Sequence, residues 1–583
     1  MTLALRLRRR SLQNQSEHAV MSVPRPVDSI VDLLPDSSLA GGFMRLYRSL
    51  ITPVAGLAAS LLIASCGISS APDAVSTPTT PAPAPGTPPS TPPNTPPSTP
   101  PVLGAKKLTV VVAVVDSLMP QEITATTPNL NTLKTEGTFY NESRAIFSAE
   151  TIPNHVAMMT GVNPARSGIA TNNFIDFLDP LNPVERDLSL PEELTANTVF
   201  TWIDQQCRVK GINPAIKTGA TMSKKYMFEV FAGDAFDPVR ANRNPKVFNA
   251  IPDTHWDPTT SPAYIGPGFE YTPDAPTMRQ ALTQLPGADF FFVSIGDVDR
   301  FAHALGTAAR NAALVTADNE IGNLRTALED AGRWENTVMI VTSDHGTDIA
   351  TNPFVNGIST QGTLDALASC FTPMTAVQNG GSDSIYVMDR SLPLGQRQAA
   401  LRAARACLVG STDCATLCPG AARPTNAAQI AGAWYTTEDT ADPDGTMPAS
   451  LVSKHPNLGD LVLVAARGFK FSEPDATGNP IPGNHGHPVT FRNTMLISGG
   501  SPWVKKGQVI AASTATFSDF DRLPEQAENI DITPTVAWLL GLNIQPADFP
   551  EGTGFDGRIL NQAFTQFDAN PSAASPTVCG RFD

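Results

Sequence analysis

Basic residues are scarce. Against 55 Asp and Glu stand 40 Lys and Arg, giving a formal net charge of −15 over 583 residues. Sequence-independent nucleic-acid binding needs a basic face, so nucleic acid is not an expected partner. A phosphorylated small molecule remains compatible, because bound divalent cations reverse the local field. Long apolar runs are missing too. The best stretch, from about Leu50 to Ala64, is shorter than a membrane-spanning helix requires. Cysteine is sparse, seven in all. What is present suffices for a folded enzyme-sized unit: the hydrophobic fraction of 41% can build a sizeable core, and the length exceeds one ordinary domain.

The N-terminal part reads as an address. Met44-Arg-Leu-Tyr-Arg48 gives a positive start, the short apolar stretch follows, and it ends in Leu62-Ile-Ala-Ser-Cys66. This resembles a bacterial lipoprotein signal, which implies a signal peptide over 44–65 and lipidation of Cys66. The expected location is the bacterial cell envelope, anchored to a membrane and facing the periplasm or exterior. Residues 1–43 sit awkwardly ahead of such a signal, and translation starting at Met44 accounts for them. The alternative is a long leader in which Arg8-Arg9-Arg10 suggests a twin-arginine signal, although the apolar stretch is far away. Residues 66–104 form a linker, Pro- and Thr-rich from Ser70 to about Pro101. Such a segment builds no core and extends about 3.1 Å per residue where polyproline II persists.

Apart from Cys66, the cysteines are Cys207, Cys370, Cys407, Cys414, Cys418 and Cys579. An even number in an exported chain favours disulfides of undetermined connectivity. Metal binding by Cys414 and Cys418 is the alternative.

The remaining chain alternates strand and helix signals. Lys107 to Val115 is a continuous β-branched run suited to a central parallel strand, with Asp116 at its C-terminal end. Asp289 to Gly296 and Asn336 to Ser343 read as further buried strands, the latter followed by Asp344-His345, and Thr494 to Ser498 as a later one. Helices are expected from Thr127 to Glu136, Pro153 to Met159, Ala308 to Ala331 and Asp531 to Leu540. The expected fold is α/β: a three-layer α/β/α sandwich with a mostly parallel central sheet. Ligands bind at the C-terminal edge of such sheets, where these acids recur. The catalytic domain is expected over 105–565. Stretches of about 180–285 and 350–482 fit the sheet poorly and read as inserted caps; 566–583 reads as a tail.

Five segments carry the chemistry: Asp116 after the first strand, Thr151-Ile-Pro-Asn-His155, Asp299-x-x-x-His303, Ser343-Asp-His-Gly346 and Asn484-His-Gly486. Together they resemble the alkaline phosphatase superfamily, and within it the type I phosphodiesterase/nucleotide pyrophosphatase group. Asp531-Ile-Thr-Pro-Thr-Val-Ala-Trp-Leu-Leu-Gly-Leu542 adds to the likeness. The resemblance implies two Zn2+, with other divalent metals as alternatives. Asp299, His303 and His485 would hold one; Asp116, Asp344 and His345 would hold the other, together with the Thr151 oxygen. Imidazole and carboxylate suit zinc, and an open position on each ion suits catalysis. Thr151 is then the nucleophile, activated by metal coordination and a helix N-terminus. Asn172 matches the family asparagine that donates to a phosphate oxygen, with Asn173 as the neighbouring alternative.

The implied activity is hydrolysis of phosphodiester or nucleotide pyrophosphate bonds in a small phosphorylated substrate, a nucleotide among the candidates. Phosphate monoesterase or phosphonate hydrolase is the alternative, and a non-catalytic surface binding protein of the same fold is another. Departures bear on these. The usual Asp-Gly after the first strand is Asp116-Ser117 here. His155 occupies the place of the sulfatase arginine, so the chain does not fit that branch. Thr221-Met-Ser-Lys-Lys-Tyr226 resembles a lysine motif of monoesterase and phosphonatase relatives, with Lys224 as the substrate-binding candidate and a solvated lysine pair as the bland reading. Alone, Asp116 would read as a helix cap and Thr151 as an N-cap. His487 competes with His485, and His155 reads as structural.

Overall fold

β-branched and aromatic runs buried on both faces form the centre of the protein. The computed structural model describes residues 107–580 except 233–248, 267–269, 350–355, 411–413, 438, 449–450, 452–453, 472–481, 512–525 and 570–576. The expected signal peptide, Cys66 and the Pro/Thr-rich linker lie outside the described residues. Eight strands build the main sheet: β1 (Thr109–Val115), β2 (Thr138–Tyr140), β3 (Thr218–Met222), β4 (Thr254–Trp256), β5 (Phe290–Ile295), β6 (Thr337–Thr342), β7 (Met495–Ser498) and β8 (Gln508–Ile510). Their spatial order is β8-β2-β7-β6-β1-β5-β3-β4. β6, β1, β5, β3 and β4 run parallel, while β7 runs against both β6 and β2.

The two-residue period of β1 sorts its side chains onto two faces. Val110, Val112 and Val114 join one core, which includes Val156 of helix Thr151–Thr160 and Val536 of helix Ile532–Leu539. Val111, Ala113 and Val115 join the other, with Leu130, Met278 and the Ala313, Ala317, Ile321, Leu324 stripe of helix Thr307–Asp330. Helices therefore cover both faces, and the sheet is the middle of three layers. Both faces being apolar is why these strands read as unbroken hydrophobic runs.

Two expectations about the periphery need correction. The stretch 180–285, expected as a cap, supplies β3 and β4 of the main sheet. Its strand signal is weak because β3 must be small. A Cβ on Gly219 would lie 2.6 Å from the Phe291 ring, so bulk on β5 excludes bulk on β3. The residues Thr577–Gly580, expected as part of a C-terminal tail outside the catalytic domain, pack beside β1: Leu108 N–H donates to the Gly580 carbonyl, and Cys579 is bonded to Cys207.

The stretch 350–482 contains a separate antiparallel sheet. Its strands lie in the order Met374–Asn379, Ser382–Val387, Leu461–Ala465, Ile430–Tyr435. Leu461 and Leu463 face a core shared with Ile385, Val387 and Leu401 of helix Leu394–Arg405. Val462 and Val464 face the other way, onto Phe147, Ala149 and Phe491 beside the loop that leads to Thr151. Cys370 is bonded to Cys418, which removes Cys418 from any metal site. Among the described residues, no helix is long and apolar enough to cross a membrane.

Candidate active site

The site lies beyond the C-terminal ends of the central parallel strands. Asp116 follows β1, and Asp344-His345 lie just past β6. Helix Asp297–Leu305 begins after β5 and presents Asp299 and His303 one turn apart on one face. Thr151 is the first residue of helix Thr151–Thr160, which ends at Gly161 in the left-handed conformation (φ 71°). His485 comes from the loop after the short strand Gly483–Asn484. These side chains form two groups, Asp299/His303/His485 and Asp116/Asp344/His345, within each of which the potential ligand atoms lie within 4.8 Å of one another. The rings of His345 and His485 stack at 3.7 Å and join the groups.

The hydrogen bonding prepares both groups for cations. Nδ1 of His303, His345 and His485 lies 3.0, 3.0 and 3.1 Å from the carbonyls of Gly483, Gly346 and Ala149. A carbonyl can only accept, so Nδ1 carries the hydrogen and the neutral ring presents its Nε2 lone pair. Those Nε2 atoms face carboxylate oxygens: His303 and His485 face Asp299 Oδ1 at 3.3 and 3.7 Å, and His345 faces Asp344 Oδ2 at 3.3 Å. Acceptors facing acceptors repel unless a cation lies between them. Asp116 Oδ1 and Asp344 Oδ2 are buried and make no hydrogen bond, so the donor sets fit metal ions.

Burial and repulsion shape the charges. Burial, with the neighbouring Asp299 and Asp344 charges, holds the Asp116 carboxyl well above its ordinary range, while Lys224 opposes this. Burial pushes Asp344 up to about 6. Burial also acts against ionised Asp299, but Lys224, His303 and His485 outweigh it and hold that carboxyl well below the ordinary range. His345 and His485 are held low, chiefly by burial, so both stay neutral ligands.

Thr151 Oγ1 sits between these groups, 3.4 Å from His345 Nε2. Lys224 Nζ reaches the same oxygen at 3.2 Å, and lies 2.6 Å from Asp116 Oδ2 and 3.0 Å from Asp299 Oδ2. The lysine is therefore a mostly buried member of the cluster, its side chain 11% exposed, and not a solvated surface residue. Asn172 Oδ1 accepts from Ile152 N–H at 2.8 Å, which leaves its Nδ2 to donate. His155 is tied below the helix start, with Nδ1 2.8 Å from the Thr151 carbonyl and Nε2 2.8 Å from Ser294 Oγ. His487 pairs with Asp348 at 3.2 Å, outside both groups.

Sequence reasoning missed Glu150. Its buried carboxylate accepts from Asn172 N–H at 2.6 Å, Thr171 Oγ1 at 3.0 Å and Ser382 Oγ at 3.2 Å, linking the turn before Thr151 to the antiparallel sheet. An acid before Thr151 was the available signal, but its partners come from distant positions in the chain.

Strand-end acids around a threonine-led helix define the class as the alkaline phosphatase superfamily. Residues 110–488 match the type I phosphodiesterase / nucleotide pyrophosphatase family, and the chain belongs to it. Among solved structures, human ectonucleotide pyrophosphatase/phosphodiesterase 5 superposes with a TM-score of 0.54 at 15% identity, covering 79% of this chain and 100% of that one. A murine counterpart, in an inactive threonine-to-alanine form complexed with AMP, gives 0.53 at 14% identity over the same shares. At these identities the likeness speaks to the fold alone. Mouse (Mus musculus) ectonucleotide pyrophosphatase/phosphodiesterase family member 3 is 25% identical over 229 residues, 38% of this chain and 22% of that protein. The Rattus norvegicus counterpart is 24% identical over the same shares, so the match spans only about a fifth of these relatives.

Proposed function

We propose that the protein hydrolyses phosphodiester or nucleotide pyrophosphate bonds through a phospho-threonine intermediate on Thr151. The observation that carries this reading is the place of Thr151 Oγ1, buried between two carboxylate-imidazole groups at a helix N-terminus. The AMP bound by the murine relative supports a nucleotide as the substrate class. Asp299, His303 and His485 would hold one Zn2+, and Asp116, Asp344 and His345 the other. Bound there, zinc would supply Lewis-acid stabilisation of the oxygens that gain charge and would lower the pKa of a coordinated hydroxyl.

The chain's own groups do the rest. Thr151 Oγ1 gives up its proton to solvent and attacks phosphorus, the bond to the leaving oxygen breaks, that oxygen takes up a proton from solvent, and a phosphate ester forms on the threonine. Asn172 Nδ2 donates to a non-bridging oxygen, its orientation set by Ile152 N–H on its Oδ1. Lys224 offsets charge that develops near Thr151. Water then attacks phosphorus from the opposite side and returns Thr151 as the hydroxyl.

Lys224 also favours a second reading. A fixed ammonium beside two cations suits the extra charge of a monoester or phosphonate dianion. The ratio of kcat/KM for bis-p-nitrophenyl phosphate to that for p-nitrophenyl phosphate, on zinc-loaded protein, separates the two. A ratio well above one is expected. A ratio well below one replaces the diesterase with the monoesterase reading, and no turnover of either with metal bound leaves the binding-protein reading.

We further propose that the protein is exported and lipid-anchored in a bacterial envelope through Cys66, on the strength of the Leu62–Cys66 pattern. Cys66→Ser is expected to move it from the membrane to the soluble fraction; unchanged membrane association would refute the anchor.

A further inference from the structure

Ser117 occupies the position after Asp116 with φ at 68°, the left-handed region that side chains other than glycine avoid. A glycine would pay no such penalty, so the serine needs a reason. All its polar groups are engaged and it is fully buried. Its N–H donates to Asp344 Oδ1 at 3.2 Å, and its carbonyl accepts from Arg310 Nη2 at 2.6 Å, the arginine being held by Glu122. Its hydroxyl donates to Asp299 Oδ1 at 2.9 Å and lies 3.3 Å from His345 Nδ1. Because Nδ1 carries the hydrogen that goes to the Gly346 carbonyl, Ser117 Oγ shares it as a second, longer acceptor, while Ser117 Oγ–H donates to Asp299. One hydroxyl thus touches one ligand from each metal group. Strained residues held by several bonds at once persist where the strain serves the site.

We propose that Ser117 is a positioning residue shared by both metal groups, fixing Asp299 and His345 relative to one another so that the two cations are bound as a pair. The inference rests on the two-cation reading above. It predicts that two measurements separate. Ser117→Gly keeps the backbone contacts, relieves the strain and deletes the hydroxyl. Its Zn2+ affinity, measured by competition with a chromophoric chelator, is expected to fall about 10–100-fold, while the Tm of the chelator-stripped protein does not fall. Ser117→Ala keeps the strain and also deletes the hydroxyl, so it should lose affinity and melt lower. Wild-type affinity in Ser117→Gly would overturn the proposal. So would a lowered Tm in metal-free Ser117→Gly, which would make Ser117 a packing residue. Wild-type protein that binds fewer than two Zn2+ would instead bring down the two-cation reading and this inference with it, a result visible before any variant is made.

Discussion

The two sheets solve different problems. In the main sheet, β1, β5 and β6 are buried along their full length, and their C-terminal ends deliver Asp116, Asp299, Asp344 and His345. In the antiparallel sheet, Met374–Asn379 and Ile430–Tyr435 alternate between buried and partly exposed positions, and none of the metal-group residues comes from it. Yet its hairpin tip reaches the site. Gly381 N–H donates to the His485 carbonyl at 2.6 Å, Asn379 Oδ1 accepts from Asn173 N–H at 3.1 Å, and Ser382 Oγ donates to Glu150. The parallel sheet places the metal-group residues, and the antiparallel sheet holds the segments around them.

Changes at the strand ends should therefore cost most. Thr151→Ala is expected to lower turnover on the order of 10³-fold or more while keeping bound metal, whereas Asp344→Ala should lose both. Metal analysis beside kinetics checks this, and near-wild-type turnover by Thr151→Ala would remove the threonine from its role.

At the junction of the sheets the effects should be smaller and dependent on pH. Burial pushes the Glu150 carboxyl up to about 7. A carboxyl raised on folding penalises the native state as it ionises: the penalty is absent below the unfolded value near 4.5 and complete above about 7. Glu150→Gln removes that charge and can keep the bonds from Asn172 and Thr171 on its oxygen, with Ser382 Oγ accepting from its amide group in place of donating. In metal-free protein it should gain stability over wild type at pH 8, by up to about 3 kcal/mol, with no gain near pH 4. Urea midpoints at both pH values test the sign, and an equal shift at both would contradict it. Ser382→Ala removes one hydrogen bond from the antiparallel side and should cost only about 1 kcal/mol. A loss of turnover as large as that of Thr151→Ala would break the division between placing and holding.

The same division explains what could be read from the chain. β1, β5 and β6 were legible because burial on both faces leaves continuous apolar runs, and the motifs at their ends followed. β3 was not, since Thr-Gly-Ala-Thr-Met is shaped by the Phe291 ring across from it. The antiparallel strands carry mixed patterns amid turn residues. In the site, His485 and Lys224 were named from motifs, and the structure brings both to Thr151 and its neighbours. The reach of Ser117 and Glu150 was hidden, because it depends on a backbone angle and on partners brought together only by folding.

One covalent link changes how the molecule is connected. Cys207 and Cys579 stand 372 residues apart in sequence. The chain between them is a closed ring, and it includes every metal-group residue except Asp116. A single peptide-bond cut anywhere in that ring opens it without producing two separate pieces, so the molecule can be nicked there and still remain one covalent body.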